Sequence, residues 1–145
     1  MTKFKSSSIK ESISNAYRGL KLAVSSQRNF RIEIIIACIA VVAALLLNFS
    51  HTDMCILIIM IALVLICEIL NSVIEFTLDA VYKNNYSKLV EMAKDMSAGM
   101  VLLVSIISVI VGLILYITYF KYLLLKMDYI LQSGFVKDIL SIFIK

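Results

Sequence analysis

The chain has no proline and only four glycines in 145 residues. A water-soluble sandwich or barrel needs more turn residues than that, so long helices are expected. Its three cysteines, Cys38, Cys55 and Cys67, form no CxxC pair, and an odd count argues against a complete disulfide framework. All three sit within or beside apolar runs and read as small apolar residues. The single histidine, His51, has no second His or Cys nearby, which points away from a structural zinc site. Neither G-x-x-x-x-G-K-[ST] nor G-x-G-x-x-G is present, so a nucleotide would have to be held by metal, lysine and polar side chains. Met1 to Arg31 lacks the apolar centre of a cleaved signal peptide.

What the chain does have is apolar surface. It is 61% hydrophobic, with a mean hydropathy of +0.97. That is too apolar for a soluble domain of this size, so the bilayer is its expected solvent. There each backbone group must be satisfied within its own helix or in a closed barrel. The net charge is +4, and seven of the fourteen basic residues fall in the first 31 positions. A basic segment running straight into an apolar span reads as a cytoplasmic membrane-surface anchor rather than a nucleic-acid site. Within it, Ile9, Ile13, Ala16, Tyr17, Leu20 and Val24 recur at spacings of three or four, so Lys10 to Arg31 reads as one or two amphipathic surface helices.

Three spans follow. The first is expected over Ile34 to Phe49, with Glu33 at its interface, and NFSHTD (48–53) as an outward turn without Lys or Arg. The second starts near Met54. The loop after it carries Lys83, Lys88 and Lys94 and belongs inside. The third, Met96 to Phe120, has 25 consecutive uncharged residues and returns the chain outward. Residues 121–145 read as an interfacial or partly inserted helix. Its four lysines would lie on the outer side, against the usual charge bias. Ser108 and Gly112 form a small-xxx-small pair suited to helix packing.

The second span ends in EILNSVIEFTLD, residues 68–79. At about 100° per residue, Asn71, Ser72, Glu75 and Asp79 all fall within about 60° of Glu68, on one helix face. Depth then separates them. Glu68 lies about 21 Å along the helix from Met54 and Glu75 about 32 Å, against a hydrocarbon core about 30 Å thick. Glu68 is therefore placed inside the inner leaflet, Glu75 at the interface and Asp79 in water or headgroups. An ionisable group at Glu68's depth marks function, and a general base accepting a proton from a lipid hydroxyl fits it. Glu75 and Asp79 suit a hard cation such as Mg²⁺ together with phosphate. Across the loop, Lys94 is placed to neutralise phosphate charge, and Asp95 to orient a ligand or an Asn. Proton relays, ion pathways and interhelical contacts are the competing roles for such groups.

EILNSVIE, then Asp79, then AKDMSAG at 93–99 strongly resembles the small prokaryotic diacylglycerol kinase family, which includes the undecaprenol kinases. AYRGL (16–20) and RNFRIE (28–33) fit as well, and the similarity covers roughly residues 10–118. The resemblance implies a homotrimer of three-span subunits with composite sites between subunits and an amphipathic N-terminal helix on the cytoplasmic face. It implies transfer of the ATP γ-phosphate to a lipid hydroxyl. By position, Glu68 is the base, and Glu75 a metal ligand near the phosphates. Asn71, Asp79, Lys94 and Asp95 belong to the nucleotide and catalytic site. Where the family has a second metal-binding Glu this chain has Gln27, a neutral oxygen donor for which Glu33 or water could substitute. The E-Y-H of the family loop reads Asn85, Tyr86, Ser87 here, with one extra residue, a departure at the nucleotide contacts where Tyr86 is the candidate residue. Ala98 stands where a serine sometimes occurs. RNFRI and the SAG-M-VLL stretch are closer to the undecaprenol kinases.

The expected protein is thus an all-α membrane protein of the bacterial inner membrane with three transmembrane helices and an N-terminal amphipathic surface helix. Its parts are a basic surface segment (1–31), a three-span kinase core (32–120) and a C-terminal amphipathic tail (121–145). The expected activity is an ATP- and Mg²⁺-dependent lipid kinase, with undecaprenol favoured over diacylglycerol as acceptor. Two other readings stand beside it. One is a catalytically impaired scaffold of the same family, motivated by Gln27, Asn85 and Ser87. The other is an ion- or proton-conducting helical oligomer.

Overall fold

A computed structural model describes residues 8–83 and 87–132. Tyr86 and the tail beyond Gln132 lie outside the described residues. Four helices follow one another: α1 (Ile9–Ser26), α2 (Arg28–Leu46), α3 (His51–Tyr82) and α4 (Lys88–Gln132). Among the described residues there is no strand. α2, α3 and α4 are each long and apolar enough to cross a membrane.

Each helix start and stop has a local cause. Ser8 caps α1, its hydroxyl accepting from the Glu11 amide at 3.2 Å, the first half of a capping box. Ser50 caps α3 in the same way, accepting from the Asp53 amide at 3.2 Å. α3 stops at Lys83, which takes a left-handed conformation with φ of 49°, a place more often held by glycine.

The basic segment up to Arg31, expected as one or two surface helices, divides at Gln27: α1 ends at Ser26 and Arg28 already opens α2. Gln27 alone separates the two helices. Arg31 explains the short join. Its Nη1 reaches back to donate to the carbonyls of Val24 (3.0 Å) and Ser25 (3.1 Å), a cationic cap on the negative end of α1. A one-residue break between two helical patterns leaves no trace in periodicity. The first span likewise begins earlier and ends earlier than Ile34 to Phe49, at Leu46.

α3 is the central element, packed against α4 most extensively and against α2 on another side, while α1 touches α2. Asn71 meets Ser97, Met60 meets Ser108 and Asp53 meets Tyr119. The numbers run in opposite directions, so α3 and α4 are antiparallel. The end holding Glu75 and Lys94 is called proximal and the end holding Ser50 and Tyr119 distal.

The distal end is tied by polar contacts between the α2–α3 turn and α4. Tyr119 donates its hydroxyl to Asp53 Oδ2 at 2.6 Å and accepts from the Ser50 amide at 2.8 Å. Its ring stacks on Phe49 at 4.2 Å. Tyr116 donates to the Ala40 carbonyl at 2.5 Å, joining α4 to α2. Beyond this point α4 does not stop. It runs through Lys121 without a break to Gln132, about 18 Å past Phe120, with every side chain from Phe120 to Leu131 exposed.

Candidate functional site

The polar stripe of α3 is buried against α4. Glu68 is 3% exposed, Asn71 9% and Ser72 5%. They are most of the buried polar residues among those described, and they lie in one helical turn at the proximal end of a largely apolar bundle. Ser72 donates back to the Glu68 carbonyl at 2.9 Å, which satisfies its hydroxyl within α3. Asn71 is held from two sides. Ser97 of α4, 5% exposed, donates to its Oδ1 at 2.6 Å. Its own amide points toward Glu75 Oε1 at 3.5 Å. The chain of contacts Ser97–Asn71–Glu75 thus orients the amide and one carboxylate together.

Farther along the same face, Lys94 Nζ lies 2.5 Å from Asp79 Oδ1, with both side chains partly open to solvent. Lys94 is one turn before Ser97, so α4 presents a cation and a hydroxyl to the same face of α3. Its backbone carbonyl also accepts from Ser97 at 2.9 Å.

The carboxylates are crowded. Glu68 interacts electrostatically with Glu75 and with Glu33 of α2. Glu33 Oε2 is shielded from solvent and has no hydrogen-bond partner. Like charges gathered in this way are relieved by a cation or a proton. Among the described residues no three His, Cys, Asp or Glu side chains form a metal cage. Magnesium commonly binds through one or two carboxylates with substrate phosphates completing the shell. Glu75, half-buried and, among the described residues, hydrogen-bonded through the long contact to Asn71 alone, fits that use. Gln27 is half-buried at the α1–α2 join. Its side chain makes no capping bond, so its amide oxygen is not committed to the helix start.

Of the residues expected from sequence, the protomer brings Glu68, Asn71 and Glu75 into one cluster and Asp79 and Lys94 into one ion pair. It does not bring Asp95 to them. Asp95 is exposed and points about 100° around α4 from Lys94. Ser97 was not among the expected site residues. Its only signal was its place one turn beyond Lys94, in a helix where serines are also packing residues.

The model of the prokaryotic diacylglycerol kinase family matches residues 14–116. A diacylglycerol kinase of Synechocystis sp. is 38% identical over 97 residues, 67% of this chain and 55% of that protein. The chain therefore spans little more than half the length of that relative. A diacylglycerol kinase of Escherichia coli K12 is 36% identical over 105 residues, 72% of this chain and 85% of that protein. An undecaprenol kinase of Bacillus subtilis is 30% identical over 107 residues, 74% of this chain and 86% of that protein. Every buried polar residue described above lies inside the matched region. The far part of α4, from Ile117 onward, lies outside it.

Proposed function

The chain belongs to the prokaryotic diacylglycerol kinase family of membrane lipid kinases, and from that premise we propose that it transfers the γ-phosphate of ATP to the hydroxyl of a membrane lipid, undecaprenol in preference to diacylglycerol. The observation that carries the reading is the burial of Glu68, 3% exposed, on the helix face that leads through Asn71 and Glu75 to the Asp79–Lys94 pair. One end of this face meets lipid and the other meets water.

Glu68 takes the proton of the acceptor hydroxyl as the oxygen attacks the γ-phosphorus and the bond to the β-phosphate oxygen breaks. ADP leaves. Phosphoryl transfer depends on positioning and charge neutralisation more than on covalent help. Asn71, held by Ser97, orients the reacting groups. Lys94, poised by Asp79, offers positive charge to the phosphates, and Tyr86 and Asp95 complete the nucleotide contacts. Glu75 and Gln27 would hold Mg²⁺, which when bound neutralises phosphate charge. The proximal end faces the cytoplasm of a bacterial inner membrane, α1 lies on that surface, and three copies assemble with sites between them.

The test is a side-by-side assay in vesicles with γ-labelled ATP and either undecaprenol or diacylglycerol. Transfer to undecaprenol at the higher kcat/KM is expected, with loss of transfer in Glu68→Gln by about 10²–10⁴-fold. Full activity in that variant would remove Glu68 as the base. Gln27 supports a second reading, an impaired scaffold, for which Mg-ATP would bind without turnover on either lipid.

A further inference from the structure

Tyr119 marks the distal end of the other two spans. α2 has ended at Leu46 and α3 begins at His51, and the turn between them meets α4 where the Ser50 amide donates to Tyr119. Beyond Tyr119, α4 continues to Gln132, outside the family-matched residues 14–116. At about 100° per residue, Phe120, Leu123, Leu124, Met127 and Leu131 fall within an arc of about 100°, and all are exposed. Lys126 lies beyond one edge of this stripe and Asp128 beyond the other. Lipid covers little of it. The headgroup layer adds about 5–8 Å to each side of the hydrocarbon core, whereas α4 runs about 18 Å past Phe120.

We propose that residues 135–145 turn back at Ser133–Gly134 and lie antiparallel along the apolar stripe of α4 beyond Tyr119, closing it within one chain. The sequence of that segment fits the stripe in polarity, length and charge. Taken at helical period, Phe135, Val136, Ile139, Leu140, Ile142 and Phe143 fall within an arc of about 160°. Residues 135–145 would span about 16 Å, close to the length of stripe to be covered. Two residues with a glycine are enough to join antiparallel helices. Charge then sets the register. Lys137 and Asp138 lie beyond opposite edges of the tail's apolar arc. In an antiparallel pair, edges of the same hand meet. That brings Lys137 to Asp128 and Asp138 to Lys126, with Met127 opposite Ile139 and Leu123 opposite Phe143. A second copy of α4 would cover the stripe but leave the tail's own apolar arc uncovered. Folding back covers both, and so short a tether holds the tail at millimolar effective concentration or above. None of this draws on the kinase reading.

Disulfide trapping tests the contact in the full chain in vesicles, with Cys38, Cys55 and Cys67 replaced by alanine. Met127→Cys with Ile139→Cys is expected to lose both thiols under mild oxidation while remaining a monomer. Leu125→Cys with Ile139→Cys, whose first thiol lies on the far side of α4 from the stripe, should close about tenfold more slowly or less. Adding Asp128→Lys to the first pair should slow closure, and adding Lys137→Asp as well should restore it. Mainly disulfide-linked dimers would give the stripe to a second copy. Closure of neither pair, equal closure of both, or no rescue by the charge exchange would overturn the proposal. Hydrogen exchange needs no cysteine. The amides of Leu123–Leu131 should exchange about tenfold more slowly in the unaltered chain than in a full chain carrying Ile139→Asp and Phe143→Asp. Equal exchange would likewise overturn it.

Discussion

Asn71 is the residue on which the buried cluster turns, because its two ends are held by different helices. Ser97 supplies a hydrogen bond to its oxygen at 2.6 Å from α4, and Glu75 faces its amide within α3. Replacing Ser97 with Ala leaves a buried amide oxygen without that donor, which costs about 1–3 kcal/mol. Freed to rotate, Asn71 no longer presents its amide to Glu75. Ser97→Ala is therefore expected to unfold at lower temperature and to lose about tenfold in kcat. Ser97→Thr, which keeps the hydroxyl, should recover most of the kcat. A kcat unchanged in Ser97→Ala would show that the contact is structural only. Gln27 poses the opposite case, a neutral side chain at a position proposed to hold the metal. Since its side chain takes no part in capping α2, Gln27→Glu adds a carboxylate without removing a bond. Metal sites gain affinity with ligand charge, so the Mg²⁺ concentration for half-maximal activity should fall by about threefold or more in that variant. A magnesium titration at fixed ATP that shows no shift would place Gln27 outside the metal shell.

At the scale of helices, α3 and α4 are joined at both ends but by different chemistry. The proximal join is the buried polar cluster and the Lys94–Asp79 pair. The distal join is Tyr119, whose hydroxyl serves both Asp53 and the Ser50 amide while its ring lies on Phe49. Tyr119→Phe keeps the stacking and removes the two hydrogen bonds. It should lower stability by about 1–2 kcal/mol, read as a lower midpoint of thermal unfolding. The Ser97 cluster lies about 33 Å away along α4, so acceptor phosphorylation should stay close to wild type. A large loss of activity would mean that the distal join sets the register of the site. These two joins differ in how far sequence revealed them. Glu68, Asn71, Ser72, Glu75 and Asp79 share one face at helical period, so their common placement is legible in the sequence. Ser97 and Tyr119 are single residues on a helix with little amphipathic pattern, and a partner on another helix leaves no periodic signal. The three apolar helices were legible from length alone. The position of the break at Gln27 was not, because Arg31 caps α1 from inside the next helix. Nor was the unbroken passage of α4 through Lys121, since one lysine ends an apolar run without ending a helix.

The whole protomer buries little of its apolar surface. Ala23, Phe30, Ala44 and Leu57 are its buried hydrophobic residues among those described, while most large apolar side chains on α2, α3 and α4 are exposed. Lipid or further copies must cover them, and the proposed site offers a way to tell which. Glu68, Asn71, Glu75, Asp79 and Lys94 are gathered by one chain, but Asp95 is exposed on a different side of α4. In a closed ring of identical subunits, such a residue is placed to serve a neighbour's cluster. Mixed oligomers test this directly. Glu68→Gln and Asp95→Asn are each expected to be inactive alone. Assembled together in equal amounts, they should recover about a quarter of wild-type activity, because a site needs an intact Glu68 from one protomer and an intact Asp95 from the next. Glu68→Gln mixed with Lys94→Met should stay inactive, because Lys94 pairs with Asp79 of its own chain at 2.5 Å and the two intact residues must then come from one protomer. Recovery in neither mixture would confine the site to a single chain, and Asp95 would then have to reach the nucleotide by a movement of α4 in its own protomer.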